Sequence, residues 1–316
     1  MSEIWTMGEL LVEIMRPRAG MSLYEIGEFR GPFPSGAPAI FIDTVARLGH
    51  SGSIISGVGE DDFGRSLLDR FRRDGVNTEF IKVFPNEATG VAFVTYFADG
   101  SRRYIFHWDG TPAVMAATPP VDKIKEAQPK FFHVMGCSLM ANEPFRRRVL
   151  ETVDLFAHEG AQITFDPNIR LELLAHRVAE DIVGPILRTC SIIFPGENEL
   201  TMLSGKKDME AAVAELFRRY PIEIVVLKQG SRGCTIYTPD AREEIPAVKV
   251  PEVDPTGAGD CFDAGFLCGR LEGQSLVESA RLAAAVGALN TKAFGPMEGE
   301  ITEENIASLL RGLSPT

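Results

Sequence analysis

Cysteine pairs are missing from this chain: its five cysteines, Cys137, Cys190, Cys234, Cys261 and Cys268, lie scattered, and none forms a C-x-x-C unit. That spacing excludes a disulfide framework and a zinc ribbon, and predicts buried, reduced thiols in a cytoplasmic protein. Positive charge is scarce as well. The 32 Lys and Arg stand against 44 Asp and Glu, a formal net charge of −12. An acidic surface repels nucleic acid and anionic membranes, so neither is an expected partner; a small polyanion needs only a local electropositive pocket. No stretch approaches the roughly 20 apolar residues of a membrane span. The opening MSEIWTMGELLVEI lacks the basic segment and long apolar run of a signal peptide. Internal repeats and low-complexity tracts are absent too.

What is present is an ordinary soluble balance, 45% apolar and 24% charged residues in a chain of 316, with room for one large α/β domain or two small ones. SGSIISG (51–57), FFHVM (131–135), QITF (162–165), SIIF (191–194) and EIVVL (223–227) read as strands. Helical patterns fall between them. Residues 61–75 place Phe63, Leu67, Leu68 and Phe71 on one face and stop at Gly75; residues 145–158 form another helix, closed by Gly160. Its Arg146-Arg147-Arg148 run reads as a solvated face. Strand, helix, strand in this order predicts a mainly parallel sheet flanked by helices. Two regions break the rhythm. Residues 9–33 and 88–108 are strand-rich without helices, and the second carries the turn signal Ala98-Asp99-Gly100. They predict a small antiparallel sheet that closes over a ligand as a lid or pairs two copies into a homodimer. A plain β excursion is the alternative.

The informative segment is Asp254-Pro255-Thr256-Gly257-Ala258-Gly259-Asp260-Cys261-Phe262-Asp263-Ala264-Gly265-Phe266. Pro255 and the glycines break the chain, and a helix starts at about Ala258. Ala258, Cys261, Phe262, Gly265, Phe266 and Gly269 draw one buried stripe. Gly265 and Gly269 cost helix propensity, which points to close backbone approach by a neighbour. A buried helix that opens on small residues offers free N–H groups to an anion. Asp260 lies in that first turn. A carboxylate beside an anion hole accepts a proton while the amides hold phosphoryl charge. The alternative is a dipole partner worth about 0.3–1 kcal/mol, and this is preferred for Asp263, one step further round. No G-x-x-x-x-G-K-[ST] occurs, which excludes a Walker-type site. Nor is Gly257-Ala258-Gly259 a dinucleotide fingerprint: Phe262 replaces its third glycine, and it lies near the chain's end.

This segment resembles the C-terminal signature of the ribokinase-like (PfkB) carbohydrate kinases, and further landmarks follow in the family's order. Gly8-Glu9 resembles its opening, Ser35-Gly36-Ala37-Pro38-Ala39 its sugar-site turn, and Gly57-Val58-Gly59-Glu60-Asp61-Asp62-Phe63-Gly64 its Gly-x-Gly-x-Asp-x-Phe-Gly segment. The resemblance implies a ribokinase-like α/β fold, a single domain over 1–316 with a lid from about 9–33 and 88–108. It implies ATP- and Mg2+-dependent transfer of phosphate to a sugar, with Asp260 as base and Gly257, Ala258 and Gly259 as anion hole. A monovalent cation is left open. Gly8, Glu9, Gly36 and Ala37 are expected to face the sugar.

Other candidates follow from the same resemblance. Asp166-Pro167-Asn168-Ile169-Arg170 resembles the family's Asp-Pro-Asn-x-Arg, with Arg170 toward the sugar and Asn168 toward the nucleotide; the alternative for Arg170 is a surface ion pair. In Pro195-Gly196-Glu197-Asn198-Glu199-Leu200, Gly196 replaces the Asn of Asn-x-x-Glu, so only Glu199 carries over, ordering magnesium through water. Lys228, Gly230 and Gly233 resemble the loop along the nucleotide phosphates, though the glycines equally suit a hairpin into a returning strand at 234–237. Residues 282–296 are expected against the adenine, with Asn290 among them. His107 and Trp108 lie in the lid, and His107 stands open between a structural role and a sugar contact.

Gly8-Glu9, the Ser35–Ala39 turn and Asp-Pro-Asn-x-Arg resemble the branch of 2-keto-3-deoxygluconate, fructose and tagatose kinases. Keto-acid kinases carry Tyr-Tyr-Arg where Phe106-His107-Trp108 stand here. A carboxylate buried beside Trp108 and Asp109 would lack a partner unless Arg102, Arg103 or Arg170 supplied one. Ile40 stands where many relatives place Asn for a sugar hydroxyl. The expected substrate is therefore a neutral ketohexose, tagatose first and fructose next, with 2-keto-3-deoxygluconate as the alternative. A catalytically dead sugar sensor is the rival from another class, against which the intact carboxylate and glycines weigh.

Overall fold

The structure, a computed structural model, describes residues 2–98, 101–174 and 177–311. Its strands are β1 Ile4–Met7, β2 Leu11–Met15, β3 Arg30–Ser35, β4 Gly52–Gly59, β5 Ile81–Phe84, β6 Gly90–Tyr96, β7 Arg102–His107, β8 Phe131–Met135, β9 Gln162–Asp166, β10 Ile192–Ile193, β11 Ile224–Lys228, β12 Cys234–Tyr237 and β13 Arg242–Ile245. Nine form one sheet in the order β13-β12-β11-β10-β9-β8-β1-β4-β5. From β5 to β11 every pair is parallel, and β12 and β13 return antiparallel at one edge. The central strands are buried along their whole length, as β4 and β8 illustrate, because helices cover both faces. Phe41, Phe71, Phe194 and Phe266 fill one face, and Trp5, Phe132, Phe156 and Phe165 the other.

Local chemistry sets the helix ends. Asp61 caps the helix Asp62–Asp74 by accepting from Gly64 N, and Gly75 ends it at φ 90°. Asn142 caps Glu143–His158 through Phe145 N at 2.9 Å. The triple arginine in that helix is not one solvated face: Arg148 turns inward and donates to the carbonyls of Val114 and Ala116 at 3.2 and 2.8 Å. All five cysteines are buried and free. Among the described residues no helix is long and apolar enough to cross a membrane.

The second sheet has the order β3-β2-β6-β7. It is mixed, not antiparallel throughout: β2 pairs with β6 in parallel, from Leu11↔Gly90 to Met15↔Val94, while β2–β3 and β6–β7 are antiparallel. The reason is the long crossover between β3 and β6, whose strands and helices in the main layer bring the chain back in its original direction. Asp99 and Gly100 of the expected turn lie outside the described residues.

Candidate active site

The loops leaving the C-terminal ends of β1, β8, β9, β10 and β11 converge on the start of the helix Ala258–Leu271, the place where open α/β sheets take ligands. Between them and the second sheet lies a cavity of about 230 Å3 lined by Asp260, Gly257, Gly259, Arg170 and Lys228, among others. The helix reaches this place because it packs closely on Leu276–Asn290. A Cβ at Gly265 would stand 2.9 Å from Ala283 Cα, and one at Gly269 2.9 Å from Ser279 Cα.

Asp260 is 6% exposed. Burial pushes its carboxyl up to about 7, and Asp166 adds to the rise, while Arg170 and Lys228 oppose it. Asn168 steadies the pair: its Nδ2 donates to Asp260 Oδ1 at 3.1 Å and to Asp166 Oδ2 at 3.4 Å. Asn168 holds φ 37°, a conformation its Asx turn supports, with its own N–H donating to Asp166 Oδ1 at 3.1 Å. Lys228 lines the cavity, yet its Nζ is turned inward, 2.9 Å from Asp166 Oδ2 and 3.2 Å from both oxygens of Asp263. Burial pushes Asp166 up, but the Lys228 ammonium, together with Asp263 and His133, outweighs it and leaves that carboxyl below its usual range. Burial drives Asp263 well above its usual range. Asp263 is thus no mere dipole partner; it is a wholly buried member of the ion cluster beneath the helix tip.

The tip itself is shaped by glycine. Gly257 sits at φ 78°, and a Cβ there would overlap the carbonyl of Pro296. The N–H of Ala258 closes a turn onto Pro255 O at 3.3 Å, while those of Gly257 and Gly259 make no hydrogen bond among the described residues. Asp254 ties the approach: Oδ1 accepts from Thr256 N at 3.0 Å and Thr256 Oγ1 at 2.6 Å, and Oδ2 accepts from Gly295 N at 2.9 Å. Asn290 lies beneath this turn, its Nδ2 donating to the carbonyls of Thr256 at 2.8 Å and Pro296 at 3.0 Å.

Toward β1 the cavity continues into a hollow of about 30 Å3 bordered by Glu9, Gly36, Ala37, Trp108 and Cys137. Glu9 is buried and accepts from Ser138 Oγ at 2.6 Å and Cys137 Sγ at 3.1 Å. Burial raises its carboxyl. Gly36, at φ 111°, lets the chain pass the carbonyl of Glu9. Gly8 borders neither space: it allows Ser138 and Pro38 to pack against the chain, and its carbonyl accepts from Ser56 Oγ at 2.6 Å. Trp108 is 2% exposed, whereas His107 points outward from the second sheet, exposed and edge-on to Phe93 at 6.2 Å. His107 is not brought to the cavity. Ile40 is buried in its wall.

Sequence reasoning missed Glu13, which lines both spaces. Its Oε1 accepts from Ser35 Oγ at 2.9 Å, its buried Oε2 has no partner among the described residues, and burial pushes the carboxyl up to about 7. The available signal was an acid inside the apolar strand LVEIM, where charge is costly without a use. Arg102 and Arg170 flank the ring of Tyr104, with Cζ 5.7 and 5.6 Å from its centre.

Glu199 forms the floor. Oε1 accepts from Ile169 N at 2.8 Å and Oε2 from Gly196 N at 2.7 Å, so both oxygens are committed to backbone. Among the described residues no group of three His, Cys, Asp or Glu is arranged to hold a metal ion. Beyond Gly259 a groove of about 510 Å3 runs between the Gly230 and Gly233 loop and Ala284, Gly287 and Ala288; Lys228, Pro255 and Gly259 border both groove and cavity.

A buried carboxylate at an anion-receiving helix tip, between a polar hollow and a long groove, defines a transferase that passes an anionic group to an alcohol. The comparisons with known proteins agree. The model of the pfkB family carbohydrate kinases matches residues 32–303. Fructokinase-1 of Zea mays is 32% identical over 314 residues, 96% of either chain. Fructokinase-2 of Solanum lycopersicum is 30% identical over 320 residues, 98% of this chain and 96% of that one. Among solved structures, a candidate ribokinase II from E. coli, in complex with ATP and Mg2+, superposes with a TM-score of 0.90 at 37% identity over 99% of this chain and 100% of the other. A fructokinase from Xylella fastidiosa with bound ATP matches in fold, with a TM-score of 0.86 at 24% identity and 100% of both chains covered. The chain belongs to the pfkB family of carbohydrate kinases, phosphotransferases with an alcohol acceptor, and has the ribokinase-like fold.

Proposed function

We propose that this kinase transfers the γ-phosphoryl group of ATP to a hydroxyl of a neutral ketohexose, D-tagatose or D-fructose. The observation that carries the reading is the juxtaposition of Asp260 with the unengaged N–H groups of Gly257 and Gly259 in the cavity, beside its border with the groove at Gly259. The sugar occupies the cavity beside Asp260 and reaches into the adjoining hollow at Glu9, Gly36 and Trp108, with the second sheet as its lid and the reacting hydroxyl toward Asp260. Asp260 takes the proton as the new bond forms, and the two amides with Arg170 receive the phosphoryl charge. Asn168 holds Asp260 in place. ATP lies in the groove past Gly230 and Gly233. Glu199 would hold a nucleotide-bound magnesium only through water, because both its oxygens already accept backbone N–H groups, and the metal would offset phosphate charge there.

Two features favour a neutral sugar. Glu13 lines the hollow with a carboxyl group whose Oε2 has no partner among the described residues, which suits hydroxyl donors and disfavours a second carboxylate. Two relatives matched over nearly their whole length are fructokinases. The keto-acid alternative rests on Arg102 and Arg170. A panel of ketohexoses and keto-acids with ATP, read by ADP release and the position of the new phosphate, tests the reading. Turnover of tagatose or fructose is expected; turnover of 2-keto-3-deoxygluconate alone would reverse the choice, and no ADP release with any sugar would leave a sensor.

A further inference from the structure

Tyr96, at the end of β6, borders neither the cavity nor the groove. Its hydroxyl instead meets Thr256 Oγ1, on the residue immediately before Gly257. The proton directions are fixed by the neighbours: Thr256 Oγ1 gives its own proton to Asp254 Oδ1 at 2.6 Å, so the phenol must donate to the threonine. Burial, the largest cause, raises the phenol further and keeps that proton in place. A second contact reaches the other arm of the same carboxylate. Phe33 of β3 stands edge-on to Phe294 at 5.9 Å, and a Cβ on Gly295 would approach its ring within 3.0 Å. Gly295 N is the donor to Asp254 Oδ2.

We infer that Tyr96 is a positioning residue for phosphoryl transfer, through which closure of the second sheet sets the turn that presents the Gly257 and Gly259 amides. The same sheet carries Glu13, Arg102 and Tyr104 on its cavity side, so it senses the acceptor with some residues and braces the helix tip with others. With the sheet lifted, Thr256 loses its donor and Asp254 its buttress at Gly295. The amides are then fully set only when the sheet is down, which withholds the tip from water in the absence of sugar. This inference rests on the phosphoryl-transfer reading above.

The test is Tyr96→Phe in the full-length protein, which keeps the ring and removes the donor. Its kcat is expected to fall about tenfold, the scale of one lost hydrogen bond felt mainly in the transition state. KM for sugar and for ATP should stay within about twofold, and the thermal midpoint should fall by no more than a few degrees, as for any one buried hydrogen bond. Thr256→Val should lower kcat similarly, Thr256→Ser should keep it, and the double variant Tyr96→Phe/Thr256→Val should be no slower than the slower single. A Tyr96→Phe enzyme with kcat within twofold of the parent would overturn the inference, as would losses that multiply in the double variant. If Tyr96→Phe does not fold, the threonine pair decides: serine active and valine slow supports the coupling, and equal rates refute it. A parent protein that releases no ADP with any sugar would instead sink the proposed function.

Discussion

Asp260 is the base of the proposed transfer, and its environment gives that role a pH signature. An acid lifted to about 7 holds its own proton below that pH and cannot accept another, so kcat/KM should climb as pH rises through about 7 and then level off. Glu13 titrates in the same window, so the limb should be measured in Glu13→Gln as well, where it should survive while sugar KM rises. Lys228 lowers the Asp260 value, so Lys228→Met should move the limb to higher pH; a limb that shifts lower would contradict the ion cluster described here. Asp260→Asn should lose about 10²–10⁴-fold in kcat while calorimetry still detects sugar binding. The Asp260 position was legible because a helix start, small residues and a carboxylate fall within four positions. Glu13 was not, since one acid in a strand has no spacing to recognise. The Lys228–Asp263 pairing was not either, because the two meet only through folding.

Elements were legible where end signals and period coincide. The strands expected at 131–135 and 234–237 and the helix expected from Ala258 occur at those residues, since turn residues bound them and their neighbours bury them. The parallel pairing of β2 with β6 was hidden, because strand direction is decided by a crossover that no local pattern encodes. The glycine stripe read as close packing carries a stability prediction. Gly265→Ala places a methyl against the backbone at Ala283, and overpacking of this kind costs about 1–3 kcal/mol. Urea unfolding should show the loss; an unchanged midpoint would mean the facing helix yields freely.

At the level of the whole molecule, three basic groups gather at one place in a chain of net charge −12: Arg102, Arg170 and Lys228 border the same cavity. Fold and family were legible because their landmarks run nearly the length of the chain. The particular sugar was not, since the hollow takes its shape from β1, β2, β7 and β8 loops that are far apart in sequence. Asp260→Asn also offers a binding assay without turnover: its preferred sugar, at about 100 times its Kd, should stabilise the fold by about 2.7 kcal/mol. A thermal midpoint indifferent to every ketohexose would place sugar elsewhere.

Because Lys228, Pro255 and Gly259 border both cavity and groove, the places proposed for acceptor and donor adjoin at these three residues. A single compound that joins a polyol to adenosine through a phosphate bridge of matching length would occupy both places at once. Its second half would bind at the high local concentration set by the tether, so it should outcompete either fragment by far more than their separate affinities suggest.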